Sequence, residues 1–319
     1  MRSVPRFLCL FVLPFPFVTG CSDSSVDPEP TPIQLDNPQR RAVIQKTTTN
    51  QTLKIGGDAV VQVFGEDMRY TLDIDTADAN GNATFTSTLD FASFEMDSDL
   101  AGTRTGGMDP ATMMMRPTNE AMRAARGLSF SGMVSTNGDI HGLDDLGELR
   151  TQILKNLEKR TLPPELTGTT VMEEFVELEF GQDRISALIE QVSLPRPLEP
   201  LTEGFTWSAR STSSFGAAQL PTQTNFTIAS VTPDEIVVRE KVESVDDTNA
   251  SEVFRRAMSL DGSVEFVFNR ASATYHINPE TGWVTRYTQT LAFNLNLDLY
   301  GVAMNVIMKV TRNGETYTE

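Results

Sequence analysis

Cysteine and histidine are almost missing from this chain. Of its 319 residues only two are cysteines, Cys9 and Cys21, and only two are histidines. Cys9 lies in a segment that we expect to be cleaved off, which leaves Cys21 as the single cysteine of the mature protein. This excludes an intramolecular disulfide, even in an oxidising compartment, so an ordinary hydrophobic core must stabilise the fold.

Positive charge is also scarce. The 26 lysines and arginines stand against 43 aspartates and glutamates, a formal net charge of −17. Removal of residues 1–20 takes away Arg2 and Arg6 and brings the charge to −19. Such a charge repels polyanions, so it argues against nucleic acid as a partner and against electrostatic adhesion to anionic lipid headgroups.

The motifs of the common enzyme classes are lacking. The sequence has no Gly-x-Ser-x-Gly, no phosphate-binding glycine loop and no His-Glu-x-x-His. His141 and His276 lie in strand or turn contexts, where a general base or a metal ligand is conceivable and a structural role is expected. We therefore predict no catalytic residue, no metal site and no cofactor.

An acidic run beside a predicted turn invites a calcium interpretation. Its members are Asp73, Asp75, Asp78 and Asn80. An EF-hand register with Gly81 at the sixth position puts Ser87 at the twelfth, where a bidentate glutamate is required. Acidic side chains that face solvent next to a hairpin turn are the preferred interpretation.

A group of methionines offers thioether sulfurs, which suit Cu(I). They are Met96, Met108, Met113, Met114, Met115 and Met122. Three consecutive side chains point in different directions on any regular backbone, so adaptable apolar packing is the expected role.

Only one apolar run stands out, and it is short. Two arginines precede the run from Phe7 to Val18, which falls short of the about 20 residues that span a bilayer. The small residues Thr19 and Gly20 then precede Cys21. This order is typical of a bacterial lipoprotein signal, with cleavage between Gly20 and Cys21 and a diacylglyceryl group on the Cys21 thiol. A plain secretory signal is the alternative.

The anchor predicts the location of the protein. Two or more acyl chains hold a protein stably on a bilayer, so the membrane is an expected partner through Cys21. Ser22 stands where some Gram-negative bacteria read aspartate as an inner-membrane retention signal. We expect a lipid-anchored protein of the bacterial cell envelope and favour the outer over the inner membrane.

Composition divides the chain into five stretches. Residues 1–20 are the predicted signal peptide, and residues 21–40 are the lipidated cysteine with a disordered tether rich in Ser, Asp and Pro. Residues 41–145 form a first β-rich half, 146–200 a helical segment and 201–319 a second β-rich half.

Alternation of β-branched and aromatic residues predicts the strands. In the first half, Asn80-Gly81 predicts a hairpin turn that leads into a strand from Ala83 to Phe91. In the second half, Asn278–Gly282 predicts a turn between two strands. Between the halves, Leu149, Ile153, Leu154 and Leu157 lie on one face of a predicted helix.

These patterns predict an α+β fold with a predominantly antiparallel, curved sheet, or two such sheets, and a central helical segment packed on them. The stretch from Phe130 to Ile140 parallels that from Thr274 to Val284, since each has a strand, a glycine-containing turn and an outgoing strand. A weak internal duplication is therefore possible.

Several motifs, in this order, resemble a family of uncharacterised envelope lipoproteins of planctomycete-type bacteria, defined as a domain of unknown function. They are the lipobox, Asn80-Gly81-Asn82-Ala83, Asn137-Gly138-Asp139-Ile140, Leu194-Pro195 and Gly204-Phe205-Thr206-Trp207. The resemblance covers most of the chain after residue 45 and implies no catalytic or binding residue.

Three functions remain open. The first is a lipid-anchored lipoprotein that serves as a non-enzymatic binding or scaffold module for a protein partner. The second is a carrier of an apolar ligand or lipid, which requires a cavity of roughly 300–1,000 Å³ beneath the helices. The third is a hydrolase of envelope glycans, which requires two carboxylates facing each other across roughly 5–9.5 Å.

Overall fold

The structure is a computed structural model. It describes residues 31–55, 58–98, 120–160, 172–173, 176–177, 179–215, 218–245, 250–254, 262–299 and 302–319. The predicted lipidation and cleavage site at Gly20 and Cys21, the tether before residue 31 and the methionines from Met108 to Met115 lie outside the described residues. No helix in the described ranges is long and apolar enough to cross a membrane.

The described chain is built mainly from strands. These are β1 (Gln39–Ile55), β2 (Asp58–Ile74), β3 (Asn82–Ser98), β4 (Ser129–Ser135), β5 (Ile140–Asp144), β6 (Thr206–Phe215), β7 (Ala218–Val231), β8 (Ile236–Val245), β9 (Ser263–Ile277), β10 (Val284–Leu299) and β11 (Val302–Thr318). Two helices, α1 (Leu146–Glu158) and α2 (Gln182–Ser193), lie between β5 and β6. Short helical segments also occur at 120–125 and 250–254.

Within the described residues these strands form a single eleven-stranded sheet. Its order is β5-β4-β3-β2-β1-β11-β10-β9-β8-β7-β6, and every pair is antiparallel. Consecutive strands are neighbours in the sheet except β5 and β6, which form its two edges, and β11 pairs with β1. The predicted antiparallel architecture is confirmed, and of the two alternatives left open, one sheet or two, the described residues form one.

Alternation along the long strands separates a buried face from an exposed one. On β10, Tyr287, Leu291 and Phe293 are buried, whereas Thr288 and Asn296 are exposed. A strand of 17 residues such as β11 spans about 55 Å. Register shifts between β2 and β3 and between β9 and β10 mark bulges, which bend a sheet.

The helices pack on the concave face. Leu149, Ile153 and Leu157 of α1 are buried and Leu154 is partly buried, as the predicted stripe requires. Helix α2 contacts β10 in the middle of the sheet and both edge strands, β5 and β6. The sheet therefore curls far enough for its two edges to reach the same helix.

The tether predicted for residues 21–40 includes residues that pack on the folded body. Ile33 and Leu35 are buried, and the backbone amides of Ile33 and Gln34 donate to the carbonyls of Thr136 (2.7 Å) and Thr281 (2.9 Å). The limit of the tether at residue 40 is therefore wrong, because residues 31–38 pack on the body and β1 begins at Gln39. Two isolated apolar residues among prolines and polar residues gave no periodic signal.

A buried arginine fastens this N-terminal segment. Arg196 donates to the carbonyl oxygens of Thr31 (3.1 Å), Ser193 (3.1 Å) and Gly282 (2.5 Å). Burial lowers the pKa of the Arg196 guanidinium to about 10. The arginine thereby joins the N-terminal segment, the end of α2 and the β9–β10 turn.

The β4–β5 turn meets the same helix end. At Gly138 a Cβ atom would lie 2.7 Å from the Ser193 carbonyl oxygen, and the residue has a φ of +90°. Only glycine fits there without strain. This hairpin lies at the edge of the sheet and the β9–β10 hairpin lies in its interior, so the two stretches of the suspected duplication occupy different places and the duplication stays a prediction.

The concave face carries two apolar cores. The helix-side core joins the helices to the nearer half of the sheet and includes Tyr70, Phe85, Ile153, Ile189 and Trp283. The far core lies at the other end of the strands and includes Leu220, Phe254, Phe266, Phe293 and Val310.

Candidate functional site

A row of polar side chains crosses the sheet between the two cores. Register pairs Glu66 of β2 with Thr47 of β1, Thr47 with Arg312 of β11, and Arg312 with Gln289 of β10. Beyond Ala273 of β9 the row continues to Glu240 of β8. We call Glu66, Thr47, Arg312, Gln289 and Glu240 the polar row.

The polar row marks a boundary along each strand. On one side of the row, Tyr287 lies two positions along β10 from Gln289 and Tyr275 lies two positions along β9 from Ala273. Both tyrosines belong to the helix-side core. Two residues to the other side, Leu291 and Ala271 belong to the far core. Side chains two positions apart face the same side of a sheet, so the row lies on the concave, covered face.

Arg312 is the buried cation of this row. It is 8% exposed, and its Nη1 donates to Oε1 of Gln289 at 3.0 Å. Within the described residues no carboxylate oxygen comes within 4.0 Å of it. Burial lowers the pKa of Arg312, and the positive charge of Arg184 on α2 lowers it further, while Glu66 opposes both.

Glu240 is the buried acid of the row. The Tyr275 hydroxyl donates to its Oε2 at 2.5 Å. Burial raises the pKa of Glu240, because the charged form loses its hydration, and the Tyr275 hydrogen bond opposes that shift. Burial also raises the pKa of Tyr275, and the neighbouring Glu240 adds to it.

Two tyrosines from the sheet hold α2 over the row. The Tyr287 hydroxyl donates to Oε1 of Gln191 at 2.5 Å, and the Tyr70 hydroxyl donates to the Leu188 carbonyl oxygen at 3.2 Å. Tyr287 can lie flat on the sheet because its neighbour on β11 is Gly314, where a Cβ atom would overlap the tyrosine ring.

A cavity of about 440 Å³ lies between α2 and the sheet. Ile185, Leu188 and Gln191 of α2 line it from above, and Arg312, Gln289 and Glu240 line it from the sheet. Apolar side chains from the strands on either side complete its walls. The site is therefore an apolar space with a polar band across its floor.

Some polar atoms around this space are buried and unpaired. Gln45 lines the cavity, is 3% exposed, and its Oε1 has no hydrogen-bond partner among the described residues. Its Nε2 reaches Oγ1 of Thr47 only at 3.4 Å. Oε1 of Glu66 is also buried and, within the same residues, without a partner. Each such group costs free energy that a bound polar group can recover.

The two histidines are far from this site. His141 is exposed on edge strand β5. Nδ1 of His276 lies 2.9 Å from Oε1 of Glu235, which also pairs with Arg286, at the surface beyond the polar row. The structure thus gives both residues settings that fit the expected structural role.

The acidic run closes a turn. Oδ1 of Asp78 accepts hydrogen bonds from the backbone amides of Asn80 (2.8 Å) and Asn82 (3.0 Å). Asp73 pairs with Arg40 at 3.6 Å. In the part of the chain that the structure describes, no three His, Cys, Asp or Glu side chains are placed to hold a metal ion. Of the methionines, Met122 is buried and lines the cavity.

Both tryptophans pack against other side chains. Trp207 stacks on Phe226 with ring centroids 4.9 Å apart, and Phe226 lines the cavity. Trp283 is fully buried, and the Arg41 guanidinium lies 4.7 Å from the centre of its ring.

Sequence reasoning missed the polar row. A single polar residue in an alternating strand suggests the solvent face when it is considered alone. The signal was nevertheless present, because Gln289 has the same parity on β10 as the buried Tyr287 and Leu291.

The chain belongs to the Family of unknown function (DUF6263), whose model matches residues 80–284. No curated protein matches the chain. Among solved structures, one of lipovitellin, described for its lipid–protein interactions, shares 11% identity over 90% of this chain with a TM-score of 0.45. This chain spans about a quarter of the lipovitellin chain, 26%.

Two bacterial structures show weaker likeness. One is a domain described as an outer membrane lipoprotein-sorting protein from Vibrio parahaemolyticus, with 6% identity, a TM-score of 0.14 and coverage of 86% of this chain and 85% of the other. The second is a DUF1329 family protein from Desulfovibrio piger, with 6% identity, a TM-score of 0.13 and the same two coverages, 86% and 85%. All three scores lie below 0.5, and no functional conclusion is drawn from these likenesses.

Proposed function

We propose that this member of the DUF6263 family is an envelope lipoprotein that binds a small ligand with an apolar chain in the cavity under α2. The observation that carries the proposal is the cavity itself. Its volume of about 440 Å³ lies within the range of ligand pockets, about 300–1,000 Å³. A module that only docks a protein partner needs no internal space of this kind.

The walls of the cavity support an apolar chain. Leu89, Leu128 and Phe130 line it on one side, and Phe226 and Val242 line it on the other. Buried apolar surface contributes roughly 25 cal/mol per Å², so a hydrocarbon chain gains free energy from leaving water for this space. The polar row and α2 supply hydrogen-bonding groups that orient one end of the ligand.

A direct fluorescence titration tests whether the cavity binds an apolar molecule. The mature chain carrying Cys21→Ala is titrated with the neutral fluorescent probe N-phenyl-1-naphthylamine. We expect saturable binding that Leu89→Trp weakens by about tenfold or more, since the indole fills part of a pocket within the usual ligand range. Phe91→Trp, on the exposed face of the same strand, is the matched control and should leave the affinity unchanged. Absence of saturable binding contradicts the proposal.

We propose in addition that Cys21 is lipidated after cleavage at Gly20 and that the acyl anchor makes the membrane a partner. Ser22 favours the outer membrane, and residues up to 30 serve as the tether. This proposal agrees with the resemblance of the sequence to envelope lipoproteins of planctomycete-type bacteria. The charge of −19 on the mature chain opposes binding of the protein surface to anionic lipids, so the acyl anchor must hold the protein on the membrane.

Fractionation of cells tests the anchor. Cys21→Ala should move the protein from the membrane pellet to the soluble fraction, whereas Cys9→Ala should remain in the pellet. A Cys21→Ala protein that stays in the pellet through a carbonate wash would rule out lipidation as the means of attachment. Separation of the two membranes on a density gradient then decides between outer and inner.

A further inference from the structure

We propose that the ligand carries an anionic headgroup, a carboxylate or a phosphate, bound at Arg312, with its apolar chain lying against strands β2 to β4. This inference rests on the proposed function and adds the class of ligand. Its basis is the pattern of hydrogen-bond donors on the polar row, an unpaired side chain beside it, and the difference between the two walls of the cavity.

Arg312 has donors to offer. A guanidinium has five N–H groups in a planar fork that matches a carboxylate or phosphate. Only one described acceptor, Oε1 of Gln289, takes a hydrogen bond from it, although the side chain is 8% exposed and lines the cavity. Among the described residues no carboxylate oxygen lies within 4.0 Å of the guanidinium, and Glu66 acts on it from a greater distance. A bound anion supplies a close counter-charge for this buried cation.

A second arginine adds to the positive field. Arg184 of α2 lines the cavity from above and is close enough to Arg312 to lower its pKa. Nε of Arg184 lies 3.8 Å from Oε2 of Glu179, with which it forms an ion pair. The carboxylates of Glu179, Glu190 and Glu240 also line the cavity. An anion is therefore favoured where it binds the Arg312 guanidinium directly, and the charge of Arg184 adds to that attraction.

Gln45 supplies a second donor. It lies on β1, two residues before Thr47, so its side chain is beside Arg312 on the concave face. A half-turn of its amide lets the Thr47 hydroxyl donate to Oε1 and points the Nε2 donors into the cavity. The unpaired, buried amide is then satisfied by the same headgroup oxygens that Arg312 binds.

The two walls of the cavity differ in charge. The strand residues that line it on β2 to β4 are uncharged and include Met68, Leu89 and Phe130. On the opposite side the lining includes Arg210 of β6 and Glu240 of β8. An alkyl chain is therefore placed against β2 to β4, where it leaves no charged group without solvent.

Competition among single-chain amphiphiles tests the headgroup. The chain with Cys21→Ala is first loaded with N-phenyl-1-naphthylamine. Its displacement is then measured with four amphiphiles, each below its micelle concentration: dodecanoate, dodecyl phosphate, dodecanol and dodecylamine. We expect the better of the two anions to bind about tenfold or more tighter than dodecanol, the usual effect of charge-assisted hydrogen bonds. Dodecylamine should bind most weakly. The order of the two anions identifies the carboxylate or the phosphate.

Substitutions then locate the headgroup. Arg312→Met should remove the preference for the anion and leave dodecanol binding within about twofold, because the apolar walls are intact. Arg69→Met, an exposed arginine on β2, is the matched control and should change neither. Gln45→Glu is the second variant, in case Arg312→Met does not fold. It leaves Arg312 in place and puts a repelling carboxylate beside it. It should weaken the binding of dodecanoate and dodecyl phosphate and leave that of dodecanol unchanged.

The outcomes separate the two proposals. If dodecanol binds as tightly as both anions, and neither Arg312→Met nor Gln45→Glu alters any affinity, the headgroup inference is overturned while the cavity remains a ligand site. If none of the amphiphiles nor the probe binds saturably, the proposed function fails first. If Ala209→Trp on β6 blocks dodecanoate and Leu89→Trp does not, the chain lies against the opposite wall and its assignment is overturned.

Discussion

The two ends of the same sheet are built differently. In the far core Phe254, Phe266 and Phe293 pack ring against ring, with centroids 5.0 to 5.7 Å apart. In the helix-side core α1 and α2 lie on the sheet, tyrosine hydroxyls bridge to α2, and the cavity remains. Long strands thus let one end of the sheet pack as a core while the other end carries the cavity of the proposed ligand site.

The largest expected effect tests whether the two cores form one folding unit. Phe293→Ala in the far core and Phe85→Ala in the helix-side core should each lower the free energy of unfolding by about 3–5 kcal/mol. Both side chains are 1% exposed. Strands run through both cores, so urea unfolding followed by far-UV circular dichroism and by tryptophan fluorescence should show one shared transition.

Phe91→Ala is the control for both substitutions, because Phe91 is 44% exposed on β3. It should lower the free energy of unfolding by much less than either core truncation does. Two separate transitions, each sensitive to only one of the core substitutions, would mean that the far core folds independently, and the comparison between two ends of one body would break.

Much of this sheet follows from the sequence. The turns at Asn80-Gly81, Asn137-Gly138 and Asn278–Gly282 and the helix stripe around Ile153 lie where their patterns predict them. These are local signals, in which neighbouring residues alone determine the backbone. The pairing of β1 with β11 joins residues 249 to 277 positions apart, and no local pattern contains it.

The site could not be predicted for the same reason. Arg312, Gln289 and Glu240 come together only through strand register, and each by itself looks like a polar residue on an exposed face. Strand β1 was missed because Thr47, Thr48 and Thr49 hide the alternation that Val43 and Gln45 carry on its buried face. A check of parity along the long strands identifies single polar residues on the buried face, but only the strand register shows that they form a row.

A smaller effect concerns how α2 is held over the cavity. Gly314→Ala should cost about 1–3 kcal/mol of folding free energy, the usual cost of overpacking, since its methyl group displaces the Tyr287 ring and breaks the bond to Gln191. In a Tyr287→Ala background the same change should cost little. A double-mutant cycle by urea unfolding measures this coupling. Additive costs would show that Tyr287 and Gly314 act independently. Gly314 would then not be what makes room for the tyrosine that holds α2 over the cavity.

The smallest effect is the pH dependence from Glu240. Burial raises its folded-state pKa above the ordinary 4.5, so the folded protein holds this proton more tightly than the unfolded chain does. As pH rises through 4.5 and toward the folded pKa, the wild type loses stability that Glu240→Gln keeps. The loss is about 1.4 kcal/mol for every tenfold difference between the acid dissociation constants of the folded and unfolded states. The variant's advantage should therefore grow from acid to neutral pH and then level off.

Glu243→Gln is the matched control for this titration. Glu243 is exposed on the same strand and pairs with Lys241 at 3.0 Å. Its stability difference from the wild type is measured over the same pH range and subtracted. A constant difference for Glu240→Gln after this subtraction would contradict the burial of the Glu240 carboxyl in the polar row.

The most direct measurement is a crystal structure with dodecanoate that carries bromine at its far end. Anomalous scattering locates the bromine independently of the remaining density. The account predicts a carboxylate within hydrogen-bond distance of Arg312 and a bromine peak beside Leu89 and Phe130, under α2. A bromine peak on the outer surface, or a cavity floor that the carboxylate does not touch, would contradict it.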